Sequence, residues 1–400
     1  MSTRRGDIPR LRPWSGARML SYGFRPFFLG AGVWGFLALL LWLLAFSHGV
    51  VPPTALAPVS FHVHELLFGF AIAAVAGFLL TAVPNWTGRM PLTGLPLLGL
   101  VLTWLLGRAA MLGGAWIGPW PAAVLELCFP ALLLAVIARE VVAGRNWRNL
   151  PPCAALATLL AADLLIMLEM LELAPTARVG ERLGIATLAL LVSLIGGRIV
   201  PSFTTNWLKK HRPGVVAAPF GGLDKAIMAG TLLALLGWVL LPESGVVGAA
   251  LVLAGLGNAV RLARWQGHRT LGEPLLAVLH LGYAWLALGL VLIGRDALIG
   301  YWGEHLHALT IGCFTTMIFA VMTRATLGHT GRDLVAGPAT TAIFVAISAA
   351  AILRVAAHGL PGDYLVWIAL AGLSWLLAFG LFLVIYGPML LGPRADGRPG

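Results

Sequence analysis

The chain has 400 residues, 59% of them hydrophobic and only 11% charged, with a formal net charge of +11. A soluble domain carries about 25% charged residues, so this composition excludes a water-coated globule and fits a surface that faces lipid. The positive charge is scattered over short loops with no basic face interleaved with aromatics, which excludes a nucleic-acid partner and leaves anionic lipid headgroups as its counterpart.

The first residues, MSTRRGDIPRLRPW, are basic and carry no leader cleavage signal. Residues 1–26 read as a cytoplasmic tail. A helix rises 1.5 Å per residue, so about 20 apolar residues cross a core of roughly 30 Å. By that rule twelve transmembrane spans follow, at 27–47, 62–83, 92–112, 119–141, 152–173, 182–206, 223–241, 246–264, 274–294, 305–324, 336–357 and 364–389. The expected fold class is all-α, a single polytopic domain over 27–390 with a short tail at 391–400. With the N-terminus inside, the cytoplasmic segments hold 22 of the 27 lysines and arginines. That bias predicts that both termini are cytoplasmic.

Spans 2 and 10 open on matched histidine pairs, His62-Val63-His64 and His305-Leu306-His307. The match extends to Thr87-Gly88-Arg89 and Thr330-Gly331-Arg332, at the same offset of 243 residues. Both spans run inward from the outer face, so the four imidazoles are expected at one depth. Imidazole suits iron and copper, and His62, His64, His305 and His307 are the candidate haem or metal ligands. Residues two apart on a helix point about 200° apart. Each pair should therefore serve two sites, unless the helix mouth unwinds and both rings converge. Glu65 and Glu304 are placed to orient the imidazoles behind the metal. His280, inside span 9, is a further candidate ligand.

Cys128, Cys153 and Cys313 are far apart, with no CxxC or CxxCH, so neither a thiolate zinc site nor covalent haem is signalled. Glu126, Asp163, Glu169, Arg198 and Asn258 fall within spans and are expected to face the bundle interior. They would form either a proton path or polar contacts that lock helices. Span 6 ends GGRIVPSFTTNWLKK, an echo of TAVPNWTGR in span 2. Aligning Pro201 with Pro84 sets Glu181 at the place of His64. Aligning Asn206-Trp207 with Asn85-Trp86 shifts the register by four residues and loses that match. Either register suggests three pseudo-repeated four-helix units.

The segments FRPFFLGAGVWG at 24–35, HVHELLFGFAIAAVAGFLLTAVPNWTGR at 62–89, GGRIVPSFTTNWL at 196–208 and HALTIGCFTTMIFAVMTRATLGHTGR at 307–332 resemble the NnrS family of bacterial membrane proteins. The resemblance implies a twelve-helix protein of the bacterial inner membrane that contains haem, of b type, and copper. It also implies a role in nitric oxide metabolism, including denitrification, or in protection against nitrosative stress. Partners would then be nitric oxide or iron-nitrosyl species and, for a reductase, quinol or another electron donor. Haem–copper oxidases share the twelve helices and a His-x-His on helix 10, but their second metal needs histidines on helices 6 and 7. Spans 6 and 7 here have none, which puts a conventional binuclear centre in doubt. The competing expectation is a secondary transporter of a small solute or metal ion.

Overall fold

The computed structural model describes residues 16–301 and 304–398. The first fifteen residues of the expected tail, residues 399–400 and the Glu304 side chain lie outside the described residues. Among the described residues no strand occurs. Twelve helices are long and apolar enough to cross a membrane: α1 Phe24–His48, α2 Pro58–Thr87, α3 Gly94–Leu112, α4 Pro119–Ala143, α5 Trp147–Met170, α6 Ala177–His211, α7 Gly222–Leu240, α8 Gly245–Ala263, α9 Pro274–Ile299, α10 Ala308–His329, α11 Pro338–Gly359 and α12 Tyr364–Leu391. The chain is a multi-pass membrane protein. His211 is the last residue of α6 and stacks on Trp207.

Three helices are not uniform. π-Helical turns occupy Glu65–Ala71 in α2, Val192–Gly196 in α6 and Ala308–Thr315 at the start of α10. A π turn admits one extra residue and re-aims the side chains around it. It also opens the carbonyl ladder to side-chain donors. Each segment has such a donor: Trp104 Nε1 to Gly69 O at 3.0 Å, Arg261 NH1 to Ser193 O at 3.3 Å, and Thr315 Oγ1 to Thr310 O at 3.0 Å.

The chain divides into two compact units. The first comprises the chain up to Pro175 together with Met322–Leu334 and the residues from Phe382 onward, and the second comprises Thr176–Val321 and Val335–Leu381. In the first unit, α1 and α12 are tied by Arg25. Its NH1 donates to Leu390 O at 2.7 Å and Gly392 O at 2.8 Å. These carbonyls belong to the end of α12, where helix acceptors lack intrahelical donors and a cation is favoured. The matched Thr-Gly-Arg stretches also behave alike. Gly88 and Gly331 take the left-handed conformation, at φ +72° and +71°, one and two residues beyond the last helical residue. The C-terminal segment packs on the second of them: Ala395 N donates to Thr330 O at 2.8 Å and Arg394 NH1 to His329 O at 2.9 Å. The Arg394 guanidinium beside it holds the exposed Asp396 carboxyl down at about 2.

In the second unit, α8 and α9 approach closely through small residues. A Cβ on Gly255 would stand 2.6 Å from Ala287 O, and one on Gly294 would stand 2.6 Å from Gly248 O. Between membrane helices, association rests on packing rather than on a hydrophobic drive, so such contacts matter. Replacing Gly255 by Val is expected to destabilise the protein by about 1–3 kcal/mol through overpacking against backbone. Gly230→Val on α7, where a Cβ meets nothing within 4 Å, is expected to be silent. Thermal midpoints of the two variants in detergent check this.

A buried charge cluster as the candidate site

The two rings of the first histidine pair part company, as their angular separation predicts. His62 stacks on Trp42 of α1 at a centroid distance of 4.5 Å. His64 turns the other way, into the first unit, and meets three carboxylates. Its Nδ1 lies 2.9 Å from Glu65 Oε1, and its Nε2 lies 3.0 Å from Asp163 Oδ1 on α5 and 3.7 Å from Glu126 Oε1 on α4. Two acceptors thus face the two ring nitrogens. A neutral imidazole has one N–H for them and an imidazolium has two.

Arg108 on α3 closes the cluster. Its NH1 donates to Glu65 Oε2 at 2.5 Å and its NH2 to Glu126 Oε1. Trp34 Nε1 on α1 donates to the same Glu65 Oε2 at 2.7 Å. Both oxygens of Glu65 are therefore occupied within the protein. Glu126 Oε2 and Asp163 Oδ2 are buried without a hydrogen-bond partner. His64, Glu65 and Asp163 are 0% exposed, Glu126 1% and Arg108 3%. With His64 neutral, three carboxylates surround one guanidinium, leaving two uncompensated negative charges in a membrane interior.

Local structure explains how five helices reach one point. The π turn begins at Glu65, one residue after His64. Gly69, inside that turn, leaves the space that Arg108 and Trp34 fill; a Cβ there would stand 2.8 Å from Arg108 NH1. Gly107 does the same for Glu126, whose Oε2 would be 2.8 Å from an added Cβ.

The second histidine pair lies in the other unit, in a different local setting. His305 sits in a short 3-10 turn, Glu304–Leu306, and His307 directly precedes the π turn of α10. His305 Nδ1 is 2.9 Å from each oxygen of Asp296, near the end of α9. Asp296, not singled out from sequence, therefore does for His305 what was expected of Glu304. His307 is half-buried.

The remaining intramembrane polar residues separate into distinct roles. Asn258 donates to Thr231 Oγ1 and Ala254 O, both at 2.9 Å, and accepts from Tyr283 Oη at 2.7 Å. Arg261 bonds Asp224 Oδ1, Ser193 Oγ and Tyr283 Oη at 3.2, 3.0 and 2.7 Å. This second cluster ties α6, α7, α8 and α9 through a cation and one carboxylate. His280 Nε2 lies 2.9 Å from Thr204 Oγ1, which itself donates to Val200 O. The ring therefore donates through Nε2. Its Nδ1 is closed in by Gly267, where a Cβ would stand 2.5 Å from it. Glu169 and Arg198, expected to face the bundle interior, are exposed instead. Glu169 is one residue from the end of α5, where a carboxylate reaches the interface by snorkelling.

The family model described as "NnrS protein" matches residues 18–394, and the chain belongs to that family. No curated protein matches the chain.

Replacing Arg108 by Ala strands Glu65 and Glu126 in a buried site, and a loss of roughly 3–5 kcal/mol is expected. Neutralising both acids in the same chain, as Arg108→Met, Glu65→Gln, Glu126→Gln, should recover part of that loss. Thermal unfolding in detergent checks it; an unchanged midpoint for Arg108→Ala would mean the guanidinium does not hold the cluster together.

Proposed function

We propose that this NnrS-family protein is a haem-binding, nitric oxide-handling protein of the bacterial inner membrane, acting in nitric oxide metabolism or in protection against nitrosative stress. Family membership supports the nitric oxide connection, and twelve apolar helices support the multi-pass placement. The orientation with both termini cytoplasmic rests on the positive bias of the inner segments.

Haem iron needs an imidazole with a ring nitrogen to spare. His64 is a poor fit, because both its nitrogens face carboxylates of the protein. His305 fits well. Its Nδ1–H donates to Asp296, which fixes the tautomer and ring orientation and leaves Nε2 for a metal. That carboxylate–imidazole pair is the single observation that favours haem or copper ligation. His305 would hold the group, with His307, in the same unit, as the further imidazole from the sequence reading. Haem held there would supply the binding of nitric oxide, with Asp296 orienting the His305 ring. Reduction of nitric oxide or of iron-nitrosyl species would draw electrons from quinol or another donor, whereas scavenging would need none.

We also infer that α2–α5 and α6–α9 are copies of one four-helix unit, with α10–α12 and α1 as the third. Three observations support this. The π turns of α2 and α10 start 243 residues apart (308 − 65), the same offset as the histidine pairs. α6 carries a π turn as well. The α2–α5 and α6–α9 units each centre their polar cluster on a buried arginine, Arg108 or Arg261.

A second reading, proton- or ion-coupled transport, is favoured by one observation, the acid-rich cluster around His64, since intramembrane carboxylates and histidines mark ion paths. Visible spectroscopy of the purified protein separates the two. A Soret band is expected, shifting when nitric oxide is added to the reduced protein. His305→Ala is expected to remove or shift that band, and Asp296→Asn to weaken haem retention about 10–100-fold. A colourless preparation from haem-replete cells would end the haem reading and leave transport.

A further inference from the structure

The cluster around His64 has a property that a purely structural ion network does not need. Its carboxylates outnumber its cations, and two carboxylate oxygens, Glu126 Oε2 and Asp163 Oδ2, are buried and unpartnered. An orphaned anionic oxygen in a low-dielectric interior costs several kcal/mol. A structure that retains two of them beside an imidazole reserves them for a partner other than the protein's own donors.

We propose that His64, Glu126 and Asp163 bind one divalent first-row transition-metal ion with mixed nitrogen and oxygen ligation, such as iron(II), manganese(II) or zinc(II). One ligand atom from each residue lies within 4.8 Å of the other two. His64 Nε2 is 3.0 Å from Asp163 Oδ1 and 3.7 Å from Glu126 Oε1. Metal–ligand bonds of about 2.0–2.2 Å place adjacent donors roughly 3.0–3.6 Å apart, so the residues need to move little. The charges also close. A neutral His64, three carboxylates, one guanidinium and one divalent cation sum to zero, and a neutral assembly is what a membrane interior tolerates.

The neighbours complete the assignment. Glu65 is not a ligand, because its oxygens are committed to His64, Arg108 and Trp34. It accepts from His64 Nδ1 and so points Nε2 at the ion, the usual carboxylate–histidine–metal relay. Arg108 holds Glu65 and Glu126 in place from behind. The donor set has no thiolate or thioether, which disfavours copper(I). The π turn that begins beside His64 supplies the local backbone freedom such sites often use. This site shares no residue with the haem ligation proposed at His305 and does not rest on it.

The test is metal binding by the full-length protein in nanodiscs. Metal per chain is measured as purified, and cobalt(II) is then titrated into chelator-treated protein. About one ion per chain is expected, with visible d–d bands and a rise in thermal midpoint by mass action. Asp163→Asn and Glu126→Gln should abolish the bands, and Glu65→Gln should weaken binding about 10–100-fold, all without changing haem content. Should a variant fail to fold, the wild-type titration decides alone. Wild-type protein that carries no such metal as purified and gains neither bands nor stability, or folded Asp163→Asn and Glu126→Gln variants that bind cobalt like wild type, would overturn the proposal. So would copper(I) as the one metal lost with these residues.

Discussion

Arg108 is the interaction on which the rest of the first unit depends. Three carboxylates and an imidazole from α2, α4 and α5 would repel one another and forfeit their hydration if buried together. A guanidinium that donates to two of those carboxylates at once turns this into a connected network. Its planar fork is suited to that bridging in a way an ammonium is not. Trp34 and Trp104 finish the arrangement by giving their indole N–H groups to Glu65 and to the Gly69 carbonyl. Helices α1 to α5 thereby share one polar centre. In a bilayer, where apolar side chains gain nothing by leaving lipid for protein, such a centre gives the helices a reason to associate in one register.

The second unit uses the same device with the charges changed. Arg261 occupies the middle, but its partners are one carboxylate and four neutral oxygens. The acceptor oxygens there are engaged by donors, with Asn258 spending both ends of its amide, and the buried group left open is a guanidinium nitrogen, Arg261 NH2, rather than an anionic oxygen. The contrast sharpens the meaning of the first cluster. Locking helices requires an arginine and a few acceptors. It does not require two further acids with oxygens left open, and those are the residues that point to chemistry.

Much of this architecture was legible in the sequence. Span number and approximate limits followed from hydrophobic length, since lipid thickness fixes helix length. The splay of His62 and His64, and the pairing of His64 with Glu65, followed from helical geometry and from a carboxylate next in sequence. Arg108 gave no such signal. Near the end of a span, an arginine ordinarily reaches the headgroups, and nothing local shows that Glu126 and Asp163, from two later helices, lie across from it. Gly69 and Gly107 were silent because a glycine in an apolar helix looks like any other until the neighbour that needs its space is known. The π turns were equally hidden, since hydrophobic length does not distinguish them from α-helix. They bear on the two registers offered for span 6. The π starts of α2 and α6 are 127 residues apart (192 − 65) and their ends 125 (196 − 71). The Asn-Trp register, at 121, is nearer than the proline register, at 117, so the correspondence between Glu181 and His64 loses its support.

Burial of the His64 cluster also bears on which small molecules can reach it. Nitric oxide is uncharged and apolar, so on the proposed function it can approach through lipid and between helices without a water-filled path. A cation or a proton cannot, because each must be handed between polar groups. A site that is fully enclosed, acid-rich and lined by indole and phenyl rings therefore admits the neutral gas more readily than it exchanges ions. That asymmetry suits a bound metal ion that stays in place while its ligand diffuses in from the membrane. It suits rapid ion transport less well, since every cycle would have to break the Arg108 bridge.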